Sequence, residues 1–110
     1  MVQNTLDTIE EKIRNNSSLT SKNKTELLDL LAKLKPEITK LSEAQSEHAE
    51  SIAGFVERSA HEATRQEKNP TLLKIASEGL SASVAGFETS HPQMVETVNY
   101  IAIALANLGL

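Results

Sequence analysis

The sequence predicts an all-α fold, an antiparallel helical bundle of about five helical segments with one long central helix. Apolar residues recur every three or four positions along nearly the whole chain, which is the period of amphipathic helices. Residues that disfavour helix interrupt this pattern at 15–18, 69–70 and 90–92. The length of 110 residues, with 39% hydrophobic side chains, suits one small domain. We therefore expect a single helical domain over residues 1–110, with an aliphatic core.

A helical hairpin is predicted for residues 1–35. The polar run at 15–18 ends its first helix, because asparagine and serine side chains compete for backbone hydrogen bonds, and Ser21 is the predicted N-cap of the second helix. Each helix has one apolar stripe that should face the core. The stripes are Val2, Leu6, Ile9 and Ile13 in the first helix, and Leu27, Leu31, Leu34, Ile38 and Leu41 in the second.

Pro36 interrupts the second stripe, and we interpret it as the first turn of a new helix, since a proline inside a helix lacks a backbone donor. The long central helix is therefore predicted over residues 36–68. At 1.5 Å per residue it would be on the order of 45 Å long. Its inward face is weaker in apolar residues near Gln45 and His48 than at its ends.

A second hairpin is predicted for residues 70–110. The Asn-Pro pair at 69–70 combines a capping residue with a proline that starts a helix, and Ser-His-Pro at 90–92 repeats the signal. The first helix of this hairpin is expected to continue to Glu88. The final helix is expected over residues 92–107.

The final helix is apolar on almost every side, and it has no charged side chain after Glu96. Gly109 is its predicted C-terminal cap. A short chain covers such a helix on all sides only with difficulty, so we expect a second copy or another protein to cover the remainder, and we favour a homodimer. The predicted interface residues are Val95, Val98, Tyr100, Ile101, Ile103, Leu105 and Leu108.

The composition argues against several classes of function. A net charge of −4 disfavours nonspecific binding to nucleic acid or to an anionic membrane, and three aromatic residues are too few for stacking on bases. The absence of cysteine excludes a disulfide framework and a thiol nucleophile. The longest apolar run is far shorter than the roughly 20 residues that cross a bilayer, and the N-terminus does not read as a secretion signal. We expect a cytoplasmic protein that binds neither nucleic acid nor membrane.

The histidines form no complete metal or catalytic motif. His61-Glu62 opens like a zincin helix, but Arg65 stands where the second histidine ligand is required. A di-iron bundle needs glutamate three residues before histidine, and Gln45 and Arg58 occupy those positions. We therefore predict no catalytic residue, no metal site, no cofactor and no enzyme activity.

Charged residues recur at helical spacing between residues 57 and 65. Glu57, His61 and Arg65 share one stripe, and Arg58 and Glu62 share another. We interpret them as ion pairs on a helix surface, each worth a few tenths of a kcal/mol. The functional alternative is a strip that binds an anion or a partner.

Four segments of the second half resemble a known family. They are Phe-Glu-Thr-Ser-His-Pro at residues 87–92, Ala-Leu-Ala-Asn-Leu-Gly-Leu at 104–110, Ala-His-Glu-Ala-Thr-Arg at 60–65 and Asn-Pro-Thr-Leu-Leu at 69–73. The family consists of short bacterial helical proteins and is known as domain of unknown function 4404. The resemblance covers most of residues 52–110 and extends further only as a leucine pattern. It implies a small helical domain and assigns no activity, cofactor or site residue.

Two functions are compatible with these observations. The first is a noncatalytic helical interaction module that self-associates through the final helix and the long helix. The alternative is a bundle that binds a small ligand or a metal in a pocket near Gln45, His48 and Ser59, which interrupt an apolar stripe.

Overall fold

The computed structural model describes residues 2–108, and five α-helices confirm the all-α class. The helices are α1 Val2–Asn15, α2 Ser21–Ala44, α3 Ser46–Ala63, α4 Pro70–Ser83 and α5 Pro92–Leu108. The chain measures 37 × 25 × 20 Å along its principal axes. Helix α3 packs against each of the other four helices, so the core surrounds it. The largest fully buried side chains are leucine, isoleucine and methionine, as expected of a chain with few aromatic residues.

The α1–α2 turn uses the polar side chains that the sequence places there. Asn16 Oδ1 accepts a hydrogen bond from the backbone N–H of Ser18 at 2.8 Å. Thr20 Oγ1 accepts from the N–H of Asn23 at 3.1 Å, so Thr20, and not the predicted Ser21, is the N-cap of α2. Both predicted apolar stripes are buried in the core.

The predicted long helix over residues 36–68 is wrong. Helix α2 continues through Pro36 to Ala44, and the chain breaks at Gln45, with φ −139° and ψ 66°, before α3 begins. Pro36 is exposed, so its ring points away from the packed side of α2. Residues 43–48 are also all exposed. Because the helix is broken at this polar run, the apolar stripes of α2 and α3 can pack into the same core. In one straight helix, half of the apolar stripe would extend past the core.

The α3–α4 and α4–α5 connections explain two further boundaries. Asn69 Oδ1 accepts from the N–H of Leu72 at 3.1 Å, and α4 starts at the predicted proline. Helix α4 ends at Ser83 and not near Glu88. Gly86 has φ +95°, which favours glycine, and its N–H donates to Glu88 Oε1 at 2.7 Å. The last helix starts at 92 as predicted, and the predicted cap Gly109 lies outside the described residues.

Lys35 joins α2 to α1 through two carboxylates. Its Nζ lies 2.6 Å from Asp7 Oδ1 and also contacts Glu10 Oε1. Hydrogen bonds to Asp7 and then to Glu10 raise the pKa of Lys35 above its ordinary value of 10.5, with desolvation opposing them. A raised pKa in the folded state means that this stabilisation is complete below the unfolded-state pKa. It is lost as the pH rises through the folded-state pKa.

Lys35→Met is expected to lower the free energy of unfolding by about 1 kcal/mol near neutral pH, because both carboxylates lose their partner. The difference from the unsubstituted chain should shrink at alkaline pH, as the pH rises through the raised pKa of Lys35 and the ammonium loses its proton. Urea unfolding followed by circular dichroism measures both values. Lys33→Met, at an exposed lysine on the same helix, is the control and should change stability by less than about 0.5 kcal/mol. A deficit of equal size at both pH values would contradict the role of the charge.

Candidate functional site

The outer face of α5 exposes apolar side chains to solvent. Tyr100 and Ile103 are 54% and 58% exposed. Glu96 is the one charged residue in the whole helix, so few charges surround the two apolar side chains. We use the name outer face for the surface formed by Glu96, Asn99, Tyr100 and Ile103. Exposed apolar surface of this kind is typical of a contact with another macromolecule.

A groove of about 300 Å³ runs along the outer face. Its lining residues are Glu88, Pro92, Val95, Glu96, Asn99, Tyr100 and Ile103. The four residues of the outer face follow the spacing i, i+3, i+4, i+7, which places them at the corners of a diamond on the helix surface. A diamond with this spacing is the hole that receives one side chain of a second helix when two helices pack knobs into holes.

The predicted interface residues fall into three groups, which are buried, partly buried and exposed. Four of them pack inside the chain's own core and are not available to a second copy. These four are Val95, Val98, Ile101 and Leu105, each at most 9% exposed. Leu108 is partly buried against the same core. Tyr100 and Ile103 remain at the surface, so they are the two predicted residues whose side chains are largely open to a partner.

A second apolar surface crosses α3 and α4. Phe55, Leu72 and Ile75 are 39%, 41% and 60% exposed. The Phe55 ring lies beside Gly79, where an added Cβ would come within 2.5 Å of it. Gly79 is one turn after Ile75, so the ring extends the exposed stripe of α4. The sequence does not reveal this patch, because Phe55 and Leu72 continue the apolar stripes of their helices, a pattern that predicts inward-facing side chains.

The three residues of the predicted ligand pocket, Gln45, His48 and Ser59, do not lie together in the structure. Gln45 and His48 are exposed, whereas Ser59 is fully buried. Eleven residues of α3 place about 16 Å between the levels of His48 and Ser59. The His48 ring meets the edge of Phe87, with 5.5 Å between ring centroids, and Phe87 in turn meets His91 at 5.8 Å. The two histidines therefore pack around the turn that precedes α5.

The charged residues between positions 57 and 65 pair differently from the prediction. Arg65 Nη1 donates to Glu62 Oε1 at 2.8 Å, and Glu62 is only 4% exposed. The predicted partner of Glu62, Arg58, lies at the surface. Glu57 and His61 line a groove of about 130 Å³ between α1 and α3, well below the size of a typical small-molecule pocket. These charged residues thus form one local ion pair at the end of α3 and the rim of a shallow groove.

Two further kinds of site are absent from residues 2–108. In that stretch, no three side chains among His, Cys, Asp and Glu lie close enough together to hold a metal ion. None of the helices described there combines the length and the apolar character needed to cross a bilayer.

A family model described as Domain of unknown function (DUF4404) matches residues 27–110. No curated protein and no solved structure matches the chain. The matched region omits α1 and contains both the outer face of α5 and the apolar patch on α3 and α4.

Proposed function

The chain belongs to the DUF4404 family, and we propose that it is a noncatalytic interaction module that forms a homodimer through the outer face of α5. The family carries no assigned activity, so the proposal rests on the surface of this chain. The observation that carries it is the exposure of Tyr100 and Ile103 on a helix with a single charge.

Burial of these two side chains supplies the driving force. Fully burying an isoleucine or an aromatic side chain contributes roughly 1.5–3 kcal/mol, and both residues here are about half exposed. Each chain brings the same pair, so a twofold dimer doubles the gain. The net charge of −4 disfavours nucleic acid as the partner, because the chain would repel its phosphates. This supports a protein partner for the outer face.

The noncatalytic part of the proposal is supported by the distribution of reactive side chains. His48 and His91 pack on Phe87, while His61 lies by the α1–α3 groove. The most buried carboxylate, Glu62, is bonded to Arg65. A general acid–base site needs such groups to converge on one reacting atom.

The dimer is expected to appear as a mass that rises with concentration toward twice the 12.0 kDa of one chain. Multi-angle light scattering and sedimentation equilibrium from about 10 μM to about 1 mM measure it, a range chosen for a weak dimer. Ile103→Glu should hold the chain at 12.0 kDa at every concentration, because it would place a carboxylate in the interface.

Ile75→Glu is the matched control. Ile75 is 60% exposed against 58% for Ile103, so the same substitution at equal exposure separates loss of the dimer from loss of folding. We expect Ile75→Glu to leave dimerisation unchanged and both variants to keep their helical circular dichroism. A monomer at all concentrations would refute the proposal. So would a dimer that is lost in Ile75→Glu and kept in Ile103→Glu, since it would use the patch on α3 and α4.

A further inference from the structure

We infer that the two α5 helices of the dimer run antiparallel, and that Ile103 of each chain occupies the hole of the other chain formed by Glu96, Asn99, Tyr100 and Ile103. This inference rests on the proposed function and adds the orientation and register of the contact. It follows from the arrangement of the hole and from the position of the only charge on α5.

The outer face contains both a knob and a hole for it. Ile103 is the most exposed large apolar side chain of α5, and it also forms one corner of the hole. The centre of the hole lies between Asn99 and Tyr100. If the partner's Ile103 sits at that level in an antiparallel pair, the twofold axis passes near residue 101. The symmetry then places Ile103 in the partner's hole as well. One register thus fills both holes, as an isologous interface requires.

The charge on α5 separates the two possible orientations. In a parallel pair, Glu96 would lie at the level of the partner's Glu96, and like charges at close range oppose association. In the antiparallel pair, the two Glu96 residues are about 16 Å apart along the helices, beyond the Debye length of about 8 Å at physiological salt. Glu96 then lies at the level of the partner's Asn107, whose exposed amide can donate a hydrogen bond to it. In the antiparallel pair the two helix dipoles also point in opposite directions, which is favourable.

The small area of this contact predicts a weak dimer. Helix α5 has 17 residues and is therefore about 25 Å long, and one face of a helix is about 10 Å wide. Two such faces bury on the order of 500 Å², which is below the size of stable interfaces. We expect a dissociation constant on the order of 100 μM. The chains would then associate and dissociate reversibly and would not form a permanent dimer.

Spin labelling tests the orientation directly, because the chain has no native cysteine. A nitroxide is attached to each of the full-length variants Gln93→Cys, Asn99→Cys and Asn107→Cys, all at exposed positions of α5. Distances between labels are measured by pulsed or continuous-wave electron paramagnetic resonance at concentrations where light scattering shows dimer. In the antiparallel pair, the separations along the helices are roughly 6 Å for position 99, 18 Å for 107 and 24 Å for 93.

The expected result is a distance that is shortest at position 99 and increases toward both 93 and 107. Similar short distances at all three positions indicate a parallel pair and overturn the orientation while the proposed function survives. Long distances at all three positions in a sample that is dimeric show that α5 is not at the interface, which overturns the inference. A mass of 12.0 kDa for the unlabelled chain at all concentrations refutes the proposed function itself. If the label at 99 alone prevents dimerisation, the order of the distances at 93 and 107 still tests the register.

Discussion

Val98→Glu is expected to leave the chain unfolded or largely unfolded at 25 °C. Val98 is fully buried and belongs to the stripe with which α5 enters the core. A carboxylate at this position would have to be desolvated among aliphatic side chains, which costs several kcal/mol, and it would also exceed the space left by valine. The whole stability of a small domain is about 5–15 kcal/mol, so one such substitution removes most of it.

Circular dichroism and urea unfolding measure this effect, and Ile103→Glu is its control. The same carboxylate five residues later lies on the outer face, where it remains in water. We expect Ile103→Glu to change the free energy of unfolding by less than about 1 kcal/mol. A folded Val98→Glu together with an unfolded Ile103→Glu would mean that α5 is rotated from the position described, and the candidate surface would be lost with it.

This contrast shows why the candidate site could be predicted only in part. The sequence predicts Tyr100 and Ile103 at the interface, and they are exposed. It predicts Val98 and Ile101 there as well, yet they are core residues. The side of a helix that faces the core is recognised by the boundary between apolar and polar residues. Helix α5 has a single charge, so its sequence marks this boundary weakly, and the rotation of the helix is set by packing against α2, α3 and α4.

Helix starts were more predictable than the break between α2 and α3. Capping side chains and proline are local signals. Asn69 and Pro70 start α4 at the position that the sequence predicts. Pro36 carries the same local signal but lies inside α2, on its exposed side. The actual break at Gln45 has no side-chain cap and no proline. Its cause is tertiary, because two apolar stripes must meet in one core, and single-residue preferences do not encode that requirement.

Leu34→Ala is expected to lower the free energy of unfolding by about 3 kcal/mol, within the range of 2–5 kcal/mol for leucine deletions in cores. Leu34 is fully buried on α2, which packs against α1, α3 and α5, so few neighbours are free to move into the space left behind. Leu72→Ala is the matched control. Leu72 is 41% exposed on α4, and its loss should cost less than about 1 kcal/mol. Urea unfolding of both variants below the concentration of dimerisation measures the difference. Equal costs would mean that Leu34 is not enclosed by α1, α3 and α5, and the packing described for α2 would then be wrong.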